Sequence, residues 1–233
     1  TARLFFKGAD SWKSLPDPLF SLADLARVKQ SGGLNNDWDL TFLIINLLFT
    51  LVKKSSEYPD SDPWTTYKKT LRNCDVANLA QFLNSDKNPI STLLEKSGRI
   101  SNDFIAGLYT GDVGSGNIIK QIFQEIYLGK ELFESTYGIQ SKVYDEKGFI
   151  NRETLLIDKS ILENLSRNNI LAIATGRPRI EADYPLDFFD LRKFFSWILT
   201  LDDCLEEEQK IFEQKQKKIS LSKPNPYMLD AIE

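Results

Sequence analysis

The hydrophobic pattern of this chain changes character near residue 149, and no other feature constrains its fold as much. Before that point, apolar residues recur three and four apart between polar loops, the spacing of amphipathic helices. Leu22-Ala-Asp-Leu-Ala-Arg-Val28 follows Pro16, Pro18 and the potential cap Ser21. The stretch from Asp39 to Lys54 is the most apolar and predicts a buried helix. Its run Phe42 to Val52 is shorter than the ~20 residues of a membrane span and is interrupted by Asn46. Helical patterns recur around Trp64–Leu71, Val76–Leu83, Ile118–Leu128 and Lys130–Tyr137, after a loop rich in Ser, Pro and Asp over 55–63. We therefore expect residues 1–148 to form a mainly helical region.

From residue 149 onward the pattern alternates. Ile157 to Leu165 reads as an amphipathic helix, and Asn169-Ile-Leu-Ala-Ile-Ala-Thr175 as a short buried strand. A helical stretch over about Glu181 to Phe195 precedes a second strand, Trp197-Ile-Leu-Thr-Leu201. A charged helical segment from Glu206 to Lys218 and the opening of a helix at Asn225 follow. Helix–strand–helix–strand–helix predicts an α/β unit over 149–233, a Rossmann-like parallel sheet flanked by helices.

Composition removes several chemistries. Histidine is absent, which excludes Ser-His-Asp, Cys-His and His-metal sites together. Any catalysis must use carboxylates, lysine, hydroxyls or backbone amides. The net charge of −4 provides no field for nucleic acid or an anionic membrane, so neither is an expected partner. Cys74 and Cys204 are too few for a disulfide framework and too far apart in sequence for a zinc motif. They predict free thiols in the cytoplasm or another reducing compartment.

In parallel α/β sheets, ligands bind beyond the carboxyl ends of the strands. The first such end here is Ala174-Thr175-Gly176-Arg177-Pro178-Arg179. A threonine hydroxyl there can donate to a phosphoryl oxygen, and the adjoining glycine lets backbone approach the same anion. An ordinary turn would have the same composition. Downstream, Ser222-Lys223-Pro224-Asn225-Pro226 places a lysine just before a helix marked by prolines. Such a lysine can neutralise a phosphoryl group, or can be a plain surface lysine.

Taken in order, these segments resemble the haloacid dehalogenase superfamily: Thr-Gly-Arg-Pro-Arg after one strand, Asp202-Asp203 after the next, then Lys-Pro-Asn-Pro before a helix. Thr175 is similar to that superfamily's second motif and Lys223 to its third. Gly32-Gly-Leu-Asn-Asn-Asp-Trp-Asp-Leu-Thr41 and Asn151-Arg-Glu-Thr-Leu-Leu-Ile-Asp158 resemble a phosphatase-like subgroup, in which the Asn-Asn-Asp-Trp stretch lies in a helical cap. The resemblance covers about residues 30–45 and 145–233. It implies a phosphohydrolase acting on a small phosphorylated metabolite through an aspartyl-phosphate, with Mg²⁺ as cofactor. Thr175 and Lys223 would then be catalytic, and Gly176, Arg177, Asn35, Asn36 and Asp37 would bind substrate. Other activities of the superfamily, a phosphomutase or a dehalogenase, and a non-catalytic binding protein are the alternatives.

Two segments of the superfamily pattern are not matched. Its nucleophilic aspartate ends a buried strand, whereas Asp37-Trp-Asp39-Leu-Thr41 follows the polar Gln30-Ser-Gly-Gly-Leu-Asn-Asn36. Asp37 is better placed as a cap or first-turn acid of the apolar helix. The carboxylates of the fourth motif should come after the helix opening at Asn225, so the chain is expected to be an incomplete protein, running from inside the cap to just short of that motif, and inactive by itself. No metal ligands are assigned. Gly111-Asp-Val-Gly-Ser-Gly-Asn117 lacks the Lys-Ser/Thr of a phosphate-binding loop and reads as a flexible cap loop.

Overall fold

The computed structural model describes residues 1–30, 36–54, 58, 60–96 and 102–232. It divides the chain into two compact units, Thr1–Gly148 and Phe149–Glu233.

The first unit is a helical assembly around one apolar segment. Its helices are α1 (Ala2–Phe5), α2 (Leu22–Gln30), α3 (Asp37–Phe49), α4 (Pro63–Arg72), α5 (Ala77–Ser85), α6 (Pro89–Lys96), α7 (Asp103–Gly107), α8 (Ile118–Leu128) and α9 (Lys130–Tyr137). Helix α3 starts where the Asn36 side chain accepts the Trp38 amide at 2.8 Å, a cap supplied by the sequence itself. Beyond its acidic first turn it is apolar on nearly every face, which suits a helix on which α1, α6, α7 and α8 all pack. Ile45 and Leu48 are fully buried there, and each such side chain contributes about 1.5–3 kcal/mol. The interrupting Asn46 is buried too, and its side-chain carbonyl accepts the Asn102 amide at 3.3 Å. The predicted helix stops at Phe49, five residues early, because the chain turns into β1 (Lys53–Lys54), which pairs antiparallel with β2 (Cys74–Asp75).

Helix α8 carries a buried carboxylate. Glu125 is fully buried and accepts the amides of Lys142, Val143 and Tyr144 at 3.0, 2.7 and 3.2 Å. The Ser141 hydroxyl and the Gln121 amide donate to the same carboxylate at 2.9 and 3.0 Å. One side chain thereby ties the loop after α9 to the middle of α8. A charge can be buried in this way because its lone pairs are filled by fixed donors.

The second unit runs α10 (Lys159–Asn168), β3 (Ala172–Ala174), α11 (Arg179–Phe188), β4 (Trp197–Leu199), α12 (Leu201–Lys215) and α13 (Tyr227–Asp230). The two strands pair in parallel, Ile173 opposite Ile198. Asp158 caps α10 through the Ser160 amide. Helix α11 ends at Phe188 rather than near Phe195, because Asp190 adopts a left-handed conformation and a short 3₁₀ turn, Arg192–Phe194, follows.

The expectation of a Rossmann-like parallel-sheet core is corrected here. Of the described residues 58% are helix and 6% strand, and the described sheets have two strands each. The physical reason lies in the length and covering of the strands. A doubly wound sheet buries long apolar strands on both faces, whereas β3 and β4 are three residues each and only half-buried. Trp197 is 52% exposed. The other strongly apolar segment, in α3, went into helix packing and supplies no third strand. Helix–strand alternation identified the one parallel pair, and the inference from one pair to a whole sheet was too long.

Candidate functional site

Strand β3 delivers Thr175 to the end of the parallel pair, where the Thr175 amide donates to the Leu199 carbonyl at 2.9 Å. The chain then turns. The Arg177 amide donates to the Thr175 hydroxyl oxygen at 3.2 Å, which leaves the hydroxyl proton available to a ligand. Gly176 is exposed, and a Cβ built on it would meet nothing within 4 Å. Neither packing nor a positive φ demands glycine at this position. Its effect is to leave backbone uncovered at the strand end.

Lys223 reaches the same end from the far side of α12. Leu221 and Met228 pack on the buried Cys204 of α12, and the Leu221 amide donates to Glu208 at 2.7 Å. The following turn is held by Asn225, whose side chain donates to the Ser220 carbonyl and accepts the Tyr227 amide, each at 2.9 Å. From this anchored turn the Lys223 ammonium donates to the Ala174 carbonyl at 2.9 Å, next to Thr175. It is exposed and makes no ion pair among the described residues.

The neighbouring arginines are committed. Arg177 pairs with Glu153 through two nitrogens at 2.9 and 3.2 Å, and Arg179 bonds the Asp203 carboxylate at 2.7 Å. Asp203 also accepts the Thr200 amide and hydroxyl at 2.7 and 2.8 Å, closing a capping box on α12. Burial pushes the Asp203 carboxyl up, but the Thr200 donors and the Arg179 guanidinium together outweigh it and hold it below the usual carboxylate range. Asp202 accepts the Arg179 amide at 2.7 Å. A capping role for Asp202-Asp203 and a surface ion pair for Arg177 or Arg179 are both readable in the sequence, but the partners they take, the Arg179 amide and Glu153, are not. The only signal was Pro178, which cannot cap α11 with its own side chain.

These carboxylates bear on the Mg²⁺ that the resemblance implies. Asp202 and Asp203 both have oxygens filled by protein donors, and among the described residues no three acidic or cysteine side chains group as a cation site. The residues present do not fit the ion, and no chemical step is derived through it. The labels hydrolase, haloacid dehalogenase and magnesium find no support in this arrangement.

The remaining candidates lie in the first unit. Asn35 falls outside the described residues. Asn36 is the cap of α3, and Asp37 opens that helix in an ion pair with Lys29. Asp39 accepts the Tyr109 hydroxyl at 2.7 Å, and Trp38 has the Lys120 ammonium 4.0 Å from its ring centre. The Asn-Asp-Trp-Asp stretch is thus occupied with starting α3 and joining it to neighbouring segments. The glycine-rich loop is a hydrogen-bonded turn: Gly111, Gly114 and Gly116 all have positive φ, and a Cβ at Gly111 would lie 2.8 Å from the Ser115 carbonyl oxygen. The first amides of α8 are taken by Gly116, Leu108 and the Asn117 side chain, so that helix start has no donors left for an anion. Cys74 and Cys204 are free and buried, and burial pushes the Cys74 thiol up to about 11. Among the described residues no helix is long and apolar enough to cross a membrane.

No protein-family model matches the chain, and no curated protein matches it. Its fold is similar to an X-ray structure solved as a Northeast Structural Genomics Consortium target, with a TM-score of 0.56 and 26% sequence identity. The likeness covers 90% of this chain and 60% of that protein, so the chain spans less than two thirds of its length.

Proposed function

We propose that the second unit binds the phosphoryl group of a small phosphate monoester at the edge formed by Thr175, Gly176 and Lys223. One observation carries the reading: the Lys223 ammonium, without a carboxylate partner among the described residues, is fixed 2.9 Å from the Ala174 carbonyl at the end of β3. A cation held beside a free hydroxyl proton and an uncovered glycine amide is a set of donors for a tetrahedral anion. The order of the sequence motifs supports a phosphohydrolase, with this edge as the part that holds the substrate. The described geometry supplies no nucleophile beside it, since Asp202 and Asp203 are engaged by protein donors. Two buried thiols suit the cytoplasm or another reducing compartment.

Titrating the ¹⁵N-labelled chain with inorganic phosphate and phenyl phosphate tests the site. The amides of Thr175 and Gly176 should shift, and Lys223→Ala should weaken binding by about tenfold or more, the value of one charge-assisted hydrogen bond. Gly176→Ala should leave the melting temperature unchanged, because its Cβ meets open space, yet weaken binding by covering the edge. Shifts confined to other residues, or Lys223→Ala binding as well as wild type, would overturn the proposal.

A further inference from the structure

The anion edge stands next to two carboxylates, which would repel a phosphate unless they were otherwise employed. Their employment is specific. Helix α11 begins after Pro178, which has no N–H and whose side chain cannot accept one, so the first amide of the helix has no local cap. Asp202, from the first turn of α12, accepts that Arg179 amide at 2.7 Å. One residue earlier the Leu201 amide donates to the Arg177 carbonyl at 3.0 Å, and one residue later Asp203 takes the Arg179 guanidinium at 2.7 Å. Three consecutive residues at the start of α12 therefore hold the Arg177 and Arg179 side of the Thr175–Arg179 turn.

Among these contacts the one from Asp202 is singular. Leu201 acts through backbone, and Asp203 also caps its own helix, so its loss would be felt throughout α12. Among the described residues the Asp202 side chain bonds only the turn, through the Arg179 amide. We infer that Asp202 is a positioning residue: it caps α11 from another helix and thereby fixes Thr175 and Gly176 in the geometry that receives the anion. Its charge faces the N-terminus of α11, which lowers its repulsion of a bound phosphate. The inference rests on the anion-site reading above.

The test compares Asp202→Ala with Asp202→Asn. Asparagine keeps an acceptor for the Arg179 amide, and alanine does not. Hydrogen exchange at the Arg179 amide should quicken at least tenfold in the alanine variant and stay near wild type in the asparagine variant. The dissociation constant for inorganic phosphate should rise about tenfold in D202A and change less than about threefold in D202N, with the chain still folded by circular dichroism. Should D202A not fold, Asp202→Glu replaces it: the charge is kept, the acceptor moves by one methylene, and the same loss is expected. Unchanged exchange and unchanged affinity in these variants, with wild type binding phosphate, would overturn the positioning role and leave the anion site standing. If the wild-type chain binds no phosphate, both readings fall together. If D202N loses affinity as D202A does, the charge rather than the cap is what matters, and the inference is wrong.

Discussion

At the scale of single residues, the second unit depends on side chains that serve two structures at once. Asp203 caps α12 through Thr200 and holds Arg179 at the start of α11. Its carboxyl is held below the ordinary value despite its partial burial, because Thr200 and Arg179 favour the charged form. A carboxyl whose folded pKa is depressed stabilises the fold fully above its unfolded pKa, near ~3.9, and loses that contribution as pH falls through the folded value. Asp203→Asn should therefore melt lower than wild type at pH 7. A cap of this kind is worth about 1 kcal/mol, or about 4–8 °C in a unit of this size. The gap should close as pH is lowered from about 4 toward 2, where the wild-type carboxyl protonates as well. Thermal melts of both proteins across that range check it. A gap independent of pH would mean that Asp203 does not titrate as its contacts require.

At the scale of elements, the most heavily bonded side chain among the described residues is Glu125 of α8. Three backbone amides, a hydroxyl and an amide side chain converge on its carboxylate. Glu125→Ala would leave these buried and part-buried donors without an acceptor, each at a cost of up to about 1–3 kcal/mol before relaxation. We expect a loss of about 3–5 kcal/mol, in the range found when one partner of a buried charged contact is removed. Glu125→Gln keeps the shape and one acceptor, and should lose roughly half as much. Urea unfolding followed by Tyr and Trp fluorescence measures both. Near-neutral behaviour of Glu125→Ala would show that the 141–144 loop leaves α8 at little cost. Helices α8 and α9 were readable in advance to the residue because their apolar spacing is regular and Asn117, Gly129 and Gly138 mark their ends. That the loop after them was anchored by a glutamate in the middle of an apolar helix face was not, since only the folded chain brings residue 125 to residues 141–144.

At the scale of the whole molecule, the two units differ in what holds them. In the first, most of the buried apolar side chains join into one cluster that runs from Phe5 to Ile126. In the second they form smaller groups, one of Leu162, Leu186, Leu191 and Phe194, another of Cys204, Leu221 and Met228. The second unit also leaves Leu156 97%, Ile170 79% and Phe188 65% exposed. Less apolar burial means less free energy against unfolding. Hydrogen exchange read by mass spectrometry should accordingly show β3, β4 and α12 exchanging well before the interior of α3 and α8. Equal protection in the two units would contradict the assignment of separate cores. The candidate anion edge lies in the less protected unit, so bound phosphate should slow exchange there selectively.

Local pattern alone determined where most helices lie, which apolar segment becomes the centre of the first unit, that two short strands run parallel, and which residues, Thr175 and Lys223, sit at strand and helix boundaries. Those properties follow from hydrophobic spacing, caps and turn residues, all of which act over a few positions. Only the tertiary structure decided that the parallel pair stays a pair, that Arg177 and Arg179 are spent on Glu153 and Asp203, that Asp202 caps a helix it does not belong to, and that Lys223 bonds the end of β3. Each of these is a contact between residues more than twenty positions apart. A polar side chain takes its partner from whatever unsatisfied donor or acceptor the fold leaves beside it, and where the group is buried, as at Glu125, the choice is binding because an unpaired group there costs more than the pairing gains.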